Sequence, residues 1–204
     1  MSTLPDLTMH LPPPILASAS PRRRQWMEAL QIPFEVWAPE VDETPLPSEA
    51  PGPMVARLAR AKADAVAQAN PGRWIIAADT TVAVDQHVLG KPVDAADAAR
   101  MLMMIQGRSH QVHTGLCLRR DDQVHALVDT AEVFLRPVTP AQARWYAGTG
   151  EPMDKAGAYA AQGIAALFIE RIEGSFATVM GFPVEQFGEL VSRLGLLGSW
   201  LGMP

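Results

Sequence analysis

Thiols are scarce in this chain. Its 204 residues include one cysteine, Cys117, so no intrachain disulfide exists and a disulfide-stapled secreted scaffold is excluded. Long apolar runs are missing too: none reaches the roughly 18 residues of a membrane-spanning helix. Nor is positive charge in excess, since 17 Lys and Arg stand against 22 Asp and Glu for a formal net charge of −5. A duplex-DNA binder draws its affinity from a basic face, so neither nucleic acid nor a membrane is an expected partner. A small anion stays open, because it needs only a local cluster of cations. The opening stretch MSTLPDLTMHLPPP has no basic n-region, no unbroken apolar segment, and an acid at Asp6. It does not read as a secretory signal, and a cytoplasmic location is expected.

Several catalytic signatures are absent as well. No G-x-x-x-x-G-K-[ST] cradles phosphates, no G-x-G-x-x-G follows a strand, and no G-x-S-x-G makes a nucleophile elbow. His110 and His113 form H-x-x-H, but a strand turns residues at that spacing to opposite faces, so no zinc pair is expected. Cys117 has no partner thiol and reads as core filling.

What remains is an ordinary globular composition, 48% hydrophobic and 19% charged, over about 1.4 typical domain lengths. Residues 1–13 read as a flexible lead-in ending in Pro12 and Pro13, and residues 14–204 as one domain. A first strand is expected at residues 14–17, then a helix N-capped by Ser20 with Pro21 at its first position, running to about Leu30. A second strand falls on residues 34–37, a proline-rich acidic loop on 39–53, and a second helix from Pro53 to about Asn70. Residues 74–78 read as a buried strand, with Asp79 at its carboxyl end, and residues 81–89 as a hairpin turning near Asp85-Gln86. Asp94 caps a third helix to Gln106. The period then becomes two: Val112, Thr114, Leu116 and Leu118 share a face. After a turn at Asp121-Asp122, Val124, Ala126, Val128, Thr130 and Phe134 share one on the partner strand. A short helix from Pro140, a strand over 163–172 and a final helix over 183–197 complete the chain. The interleaving predicts an α/β fold with a mixed, twisted sheet and flanking helices.

The most informative residues are cations on apolar faces. Lys62 lies in the middle of the stripe formed by Val55, Leu58, Ala59 and Val66. Arg23 shares the face of Trp26, Met27 and Leu30, with Arg22 beside it and Arg24 turned away. A single long side chain often snorkels. Two helices each aiming a cation inward instead predict a shared anion or carboxylate partners, since a lone buried charge is costly. The turn from Ser18 into the first helix suits phosphate, because a helix N-terminus offers free N–H groups and the positive end of a dipole. Asp79 and Glu43 are the candidate metal carboxylates, and Lys91 in Gly90-Lys91-Pro92 adds a cation on a rigid turn.

These residues sit in a series of motifs. Leu16-Ala-Ser-Ala-Ser-Pro-Arg-Arg23, Ala78-Asp-Thr80, Leu89-Gly-Lys-Pro92, Gly107-Arg-Ser-His110, Glu151-Pro-Met-Asp-Lys-Ala-Gly-Ala-Tyr159 with Gln162-Gly163, and Gly181-Phe-Pro183 resemble, in order, the Maf family. The resemblance implies a fold related to the inosine triphosphate pyrophosphatases, with two lobes around a central cleft, often as a homodimer. It implies hydrolysis of a nucleoside triphosphate to the monophosphate and pyrophosphate with Mg²⁺ or Mn²⁺, a house-cleaning role in nucleotide pools. Asp79 would be the proton acceptor or metal-bound base and Glu43 would assist with metal and water. Ser18, Arg22, Lys62 and Lys91 would hold phosphates. Arg23, Thr80 and Gln162 match positions linked to substrate choice. The blocks around Asp79 and Gln162 resemble the branch acting on dTTP and UTP, whereas residues 39–45 are similar to the branch acting on 7-methyl-GTP. A non-catalytic, nucleotide-binding regulator of septum formation is the alternative from another class.

Overall fold

The computed structural model describes residues 11–85 and 87–201. Residues 1–10 of the expected lead-in, and Gln86 of the expected hairpin turn, lie outside the described residues.

The strand about which the others pair is β3 (Ile75–Val84), buried at nine of its ten positions. β1 (Ile15–Leu16) runs parallel to its start and β2 (Glu35–Val36) parallel to β1. β5 (Ser109–Arg120) and β6 (Gln123–Leu135) form the long antiparallel hairpin that the period of two predicts, with β5 along the other edge of β3. β7 (Ile169–Glu173) closes that side, so the order is β2-β1-β3-β5-β6-β7, and β4 (His87–Leu89) folds back onto β3. The mixed sheet with flanking helices agrees with the expected class.

β3 departs from the expectation of a strand followed by a hairpin. It runs unbroken through Asp79, so Asp79 lies in mid-strand and not at a strand end. The strand that ends beside Asp79 is its neighbour β1. β1 pairs β3 at Ile75 and Ile76 and stops, and β4 pairs it again only from Val82. Among the described residues, no strand covers residues 77–81 on that edge.

Alternation along β3 distributes its side chains between two layers. Ile75 and Ala77 pack with Ala59, Ala63 and Val66 of α2 (Pro51–Ala67). Trp74, Ile76 and Ala78 pack on the opposite face with Met27 of α1 (Pro21–Ala29), and with Phe187, Leu190 and Val191 of a helix near the C-terminus. Farther along β3, Val82 and Val84 enter a separate core with Ala98, Leu102 and Ile105 of α3 (Ala95–Ile105) and with Tyr146 of α4 (Pro140–Ala147). Cores at the two ends of one sheet make two lobes, and the uncovered edge of β3 lies between them.

Local chemistry accounts for most boundaries. Asp94 caps α3 by accepting the Asp97 N–H at 2.7 Å, and Thr139 and Gln142 form a reciprocal capping box on α4. Ser20 stands at the N-cap of α1 but makes no side-chain cap bond; Ser18 Oγ accepts the Ser20 N–H at 3.2 Å instead. α2 starts two residues before the expected Pro53, at Pro51. The strand expected over 163–172 is a 3-10 turn, Ile164–Phe168, followed by β7. α5 (Phe176–Val179) is a single turn of helix between Gly174 and Gly181, and the final helix is split into α6 (Val184–Arg193) and α7 (Leu197–Leu201) by Gly195 at φ +69°. On β6 the buried face is Ala131, Val133 and Leu135, the reverse of the expected one. α2 lies over β5 and reaches β6 only at its edge, so Val128 on that side stays exposed.

Gly115 of β5, paired with Asp79, lies directly against the backbone of α2. A Cβ at Gly115 would lie 2.3 Å from the Val55 carbonyl oxygen and 2.9 Å from the Ala56 nitrogen. Those are backbone atoms that cannot rotate away, so the absent side chain sets the height of α2 above the sheet. Gly115→Ala is expected to destabilise the fold by about 1–3 kcal/mol, as overpacking does, measured by urea unfolding. Stability equal to the native protein would show that α2 does not need this approach.

Candidate active site

A cavity of about 670 Å³ opens between the two lobes at the uncovered edge of β3, and all nine candidate site residues from the sequence line it. Consecutive residues of a strand face opposite ways, so Asp79 joins the α2 face and Thr80 the α1 face. The cavity reaches both because no strand fills the gap.

On the α2 face, Lys62 is 9% exposed and Asp79 7%. Lys62 Nζ donates to Asp79 Oδ1 at 2.6 Å and lies 2.6 Å from Glu43 Oε1. The buried cation thus has the carboxylate partners that its place in an apolar stripe requires. Burial alone would raise the Glu43 carboxyl, yet the Lys62 ammonium holds it below the usual carboxylate value. Glu43 reaches the cluster on an exposed loop, tied down where Arg57 donates to both Glu49 oxygens at 2.7 and 2.6 Å and to the Thr44 carbonyl at 3.2 Å.

On the α1 face, Arg23 is 9% exposed. Its Nε donates to the Gly181 carbonyl at 2.9 Å, Nη1 to Ser18 Oγ at 3.1 Å and Nη2 to Thr80 Oγ1 at 3.2 Å. Burial pushes its pKa down to about 10, opposed by the charge of Asp79, so it stays a cation at neutral pH. Gly181 has φ +90°, and a Cβ there would sit 2.9 Å from Thr80 Oγ1, so glycine leaves room for this packing. Arg22 lies beside it, its pKa lowered by burial and supported by Asp154.

The far lobe supplies the remaining wall. Lys91 is exposed on the turn after β4, where the Gly90 carbonyl accepts the Gly157 N–H at 3.1 Å. Gln162 lies exposed at the rim. Asp154 and Lys155 also line the cavity and pair with each other. Sequence reasoning gave them no role: Asp154 ends one 3-10 turn and Lys155 bridges to the next, a stretch without a periodic face, where an adjacent Asp-Lys pair reads as solvated. Tyr159 lies deeper, its hydroxyl 2.8 Å from His110 Nε2.

Two carboxylates and several cations converge on an open gap in an α/β sheet, an arrangement whose chemistry suits a polyanion beside an acid. The chain belongs to the Maf-like protein family, which it matches over residues 13–194. It is 46% identical over 186 residues to the dTTP/UTP pyrophosphatase of Myxococcus xanthus, covering 91% of this chain and 94% of that protein. It is 46% identical over 184 residues to the dTTP/UTP pyrophosphatase of Thermus thermophilus, covering 90% and 96%. Among solved structures, the Staphylococcus aureus Ham1 protein aligns over 86% of this chain and 98% of its own at a TM-score of 0.45 and 12% identity.

Burial lowers the His110 pKa from 6.5 to about 4, with Arg108 adding repulsion. Between those values the unfolded chain binds a proton that the folded protein refuses, so stability rises with pH there. The contribution is complete above pH 6.5 and is lost as pH falls toward 4. His110→Gln is expected to remove that part of the slope, read by guanidinium unfolding of both proteins across the window. Parallel profiles would show that His110 does not titrate there.

Proposed function

We propose that the cleft hydrolyses dTTP and UTP to the monophosphate and pyrophosphate, with Asp79 as the base. The observation that carries this reading is Lys62 clasped between Asp79 and Glu43 on the floor of the cavity. The names of the relatives supply the substrate class. Attack at phosphorus needs charge neutralisation more than covalent chemistry. Arg22, Lys62 and Lys91 supply it along the phosphates, and Ser18 adds a hydroxyl at the start of α1. Lys62 holds Asp79 Oδ1, which leaves Oδ2 to take the proton of the attacking water. Arg23, Thr80 and Gln162 stand where the base is chosen. A homodimer in the cytoplasm belongs to the same reading, and sedimentation checks the dimer.

The donor set fits a hard divalent cation. Asp79 Oδ1 and Glu43 Oε1 each lie 2.6 Å from Lys62 Nζ, so a cation held by these two carboxylates would share them with the Lys62 ammonium. Among the described residues, no group of three or more His, Cys, Asp and Glu comes together, so the other ligands would be phosphate oxygens and water, as Mg²⁺ prefers. When bound, Mg²⁺ or Mn²⁺ would neutralise phosphate charge and acidify a water.

Asp79→Asn is expected to lower pyrophosphate release from dTTP and UTP by about 10²–10⁴-fold, while nucleotide affinity measured by calorimetry stays near that of the native protein. Native turnover in that variant would sink the mechanism. Chelation with EDTA is expected to abolish release, and Mg²⁺ or Mn²⁺ to restore it. Undiminished release in excess chelator would remove the metal from the reading. Binding by the native protein with no turnover of any nucleotide would favour the regulator.

A further inference from the structure

The hydroxyl of Thr80 has one proton to give, and its neighbours decide where that proton goes. Thr114 sits directly opposite on β5 and is fully buried. The two hydroxyl oxygens are 3.0 Å apart. Thr114 Oγ1 also donates to the Thr178 carbonyl at 2.8 Å. A carbonyl only accepts, so the single proton of Thr114 is spent there, and Thr80 must be the donor in the pair. The other partner of Thr80 Oγ1 is Arg23 Nη2, and a guanidinium only donates. One lone pair of Thr80 is therefore taken by Arg23 and its proton by Thr114. Toward the cavity that it lines, Thr80 retains acceptor capacity alone.

Arg23 completes the pattern. A guanidinium has five N–H bonds, and three are engaged by Gly181, Ser18 and Thr80. The two that remain are donors. The wall on the α1 face thus offers a donor beside an acceptor, on the face of β3 opposite the Asp79 carboxylate. An elongated nucleotide lying through the gap would meet the acid at its phosphates and this pair at its base.

We propose that Thr114 is a positioning residue for nucleotide selection: by taking the Thr80 proton it fixes Thr80 as the acceptor beside the Arg23 donor. Uracil and thymine present a carbonyl acceptor at position 4 next to an N3–H donor, which matches that pair. Cytosine presents a 4-amino donor next to an N3 acceptor, the reverse polarity. The proposal rests on the pyrimidine triphosphate reading above. It places the discrimination in a buried hydroxyl that does not touch the nucleotide.

Thr114→Val keeps the side-chain shape and removes the hydroxyl. The Thr178 carbonyl keeps the Gly181 N–H at 2.9 Å, so that acceptor is not orphaned. The freed Thr80 hydroxyl can then turn and donate into the cavity. Steady-state rates with UTP, dTTP and CTP are to be measured for the native protein, Thr114→Val and Thr114→Ser. In Thr114→Val the preference for UTP over CTP in kcat/KM is expected to fall about tenfold, the weight of one hydrogen bond. The change should lie in KM, with kcat for UTP within about twofold of native, and Thr114→Ser should keep the native preference. A loss of stability alone lowers all three nucleotides alike and leaves the ratio unmoved. An unchanged ratio in Thr114→Val, or one lost equally in Thr114→Ser, overturns the proposal. If the native protein turns over no nucleotide, the pyrophosphatase reading fails; the same ratio, read from dissociation constants of UTP and CTP, then decides the role of Thr114.

Discussion

The cleft depends on one interruption in hydrogen bonding along an edge of β3. β1 pairs two residues of that edge and turns away at Ser18, and β4 returns only at Val82. Buried backbone needs partners, so a strand edge exposed in the middle of a sheet has to face solvent or ligand. The protein meets this by leaving the edge open to a cavity and continuing β3 along β5 on its other side. The strand is thus rigid on one edge and free on the other. Side chains placed on it, Asp79 and Thr80, are held by a full antiparallel ladder while remaining accessible.

The interruption also explains why two chemically different clusters sit so close together. Asp79 and Thr80 are consecutive, yet one meets a lysine from α2 and the other an arginine from α1. A continuous sheet would have separated these layers by its full thickness. Each cation is buried, and each is compensated in its own way: Lys62 by two carboxylates, Arg23 by one carbonyl and two hydroxyls. A buried ion pair adds little net stability once desolvation is counted, and losing one partner is costly. The carboxylates keep Lys62 in place. Neutral acceptors, by contrast, leave the Arg23 charge without a direct ion pair among the described residues.

Much of this arrangement is legible in the sequence, and the residues show why. Lys62 betrays itself because helical spacing puts it among Val55, Leu58, Ala59 and Val66, where a cation without a partner would be untenable. Arg23 does the same on a shorter helix. The long hairpin is legible from its period. What escapes is set by the tertiary layers. Asp79-Thr80-Thr81 looks like the end of a strand because polar residues break an apolar run, and only the missing neighbour explains why they belong inside one. The buried face of β6 escapes because the extent of α2 decides it, and nothing in β6 records where α2 stops. Thr114 reads as one more residue of an alternating face, since the sequence does not show which hydroxyl stands opposite it.

The two carboxylates beside Lys62 are held by unequal means, and this bears on how the site works. Asp79 is fixed by the ladders of β3. Glu43 belongs to an exposed loop whose hold on the body runs through Arg57, which grips Glu49 with two N–H groups and the Thr44 carbonyl with a third. The Glu49 carboxyl is held down to about 2 by its hydrogen bonds to Arg57, against the opposing effect of burial, so this tether stays charged through the physiological range. That clamp is two-pronged and part-buried, with the Arg57 side chain 31% exposed and that of Glu49 9%, the geometry in which such a pair holds best. Glu43 therefore owes its place to a side-chain clamp, where Asp79 owes its place to backbone pairing. One acid of the site is thus set by the sheet and the other by the loop clamp, so Arg57 bears on the geometry around Lys62 as directly as β3 does.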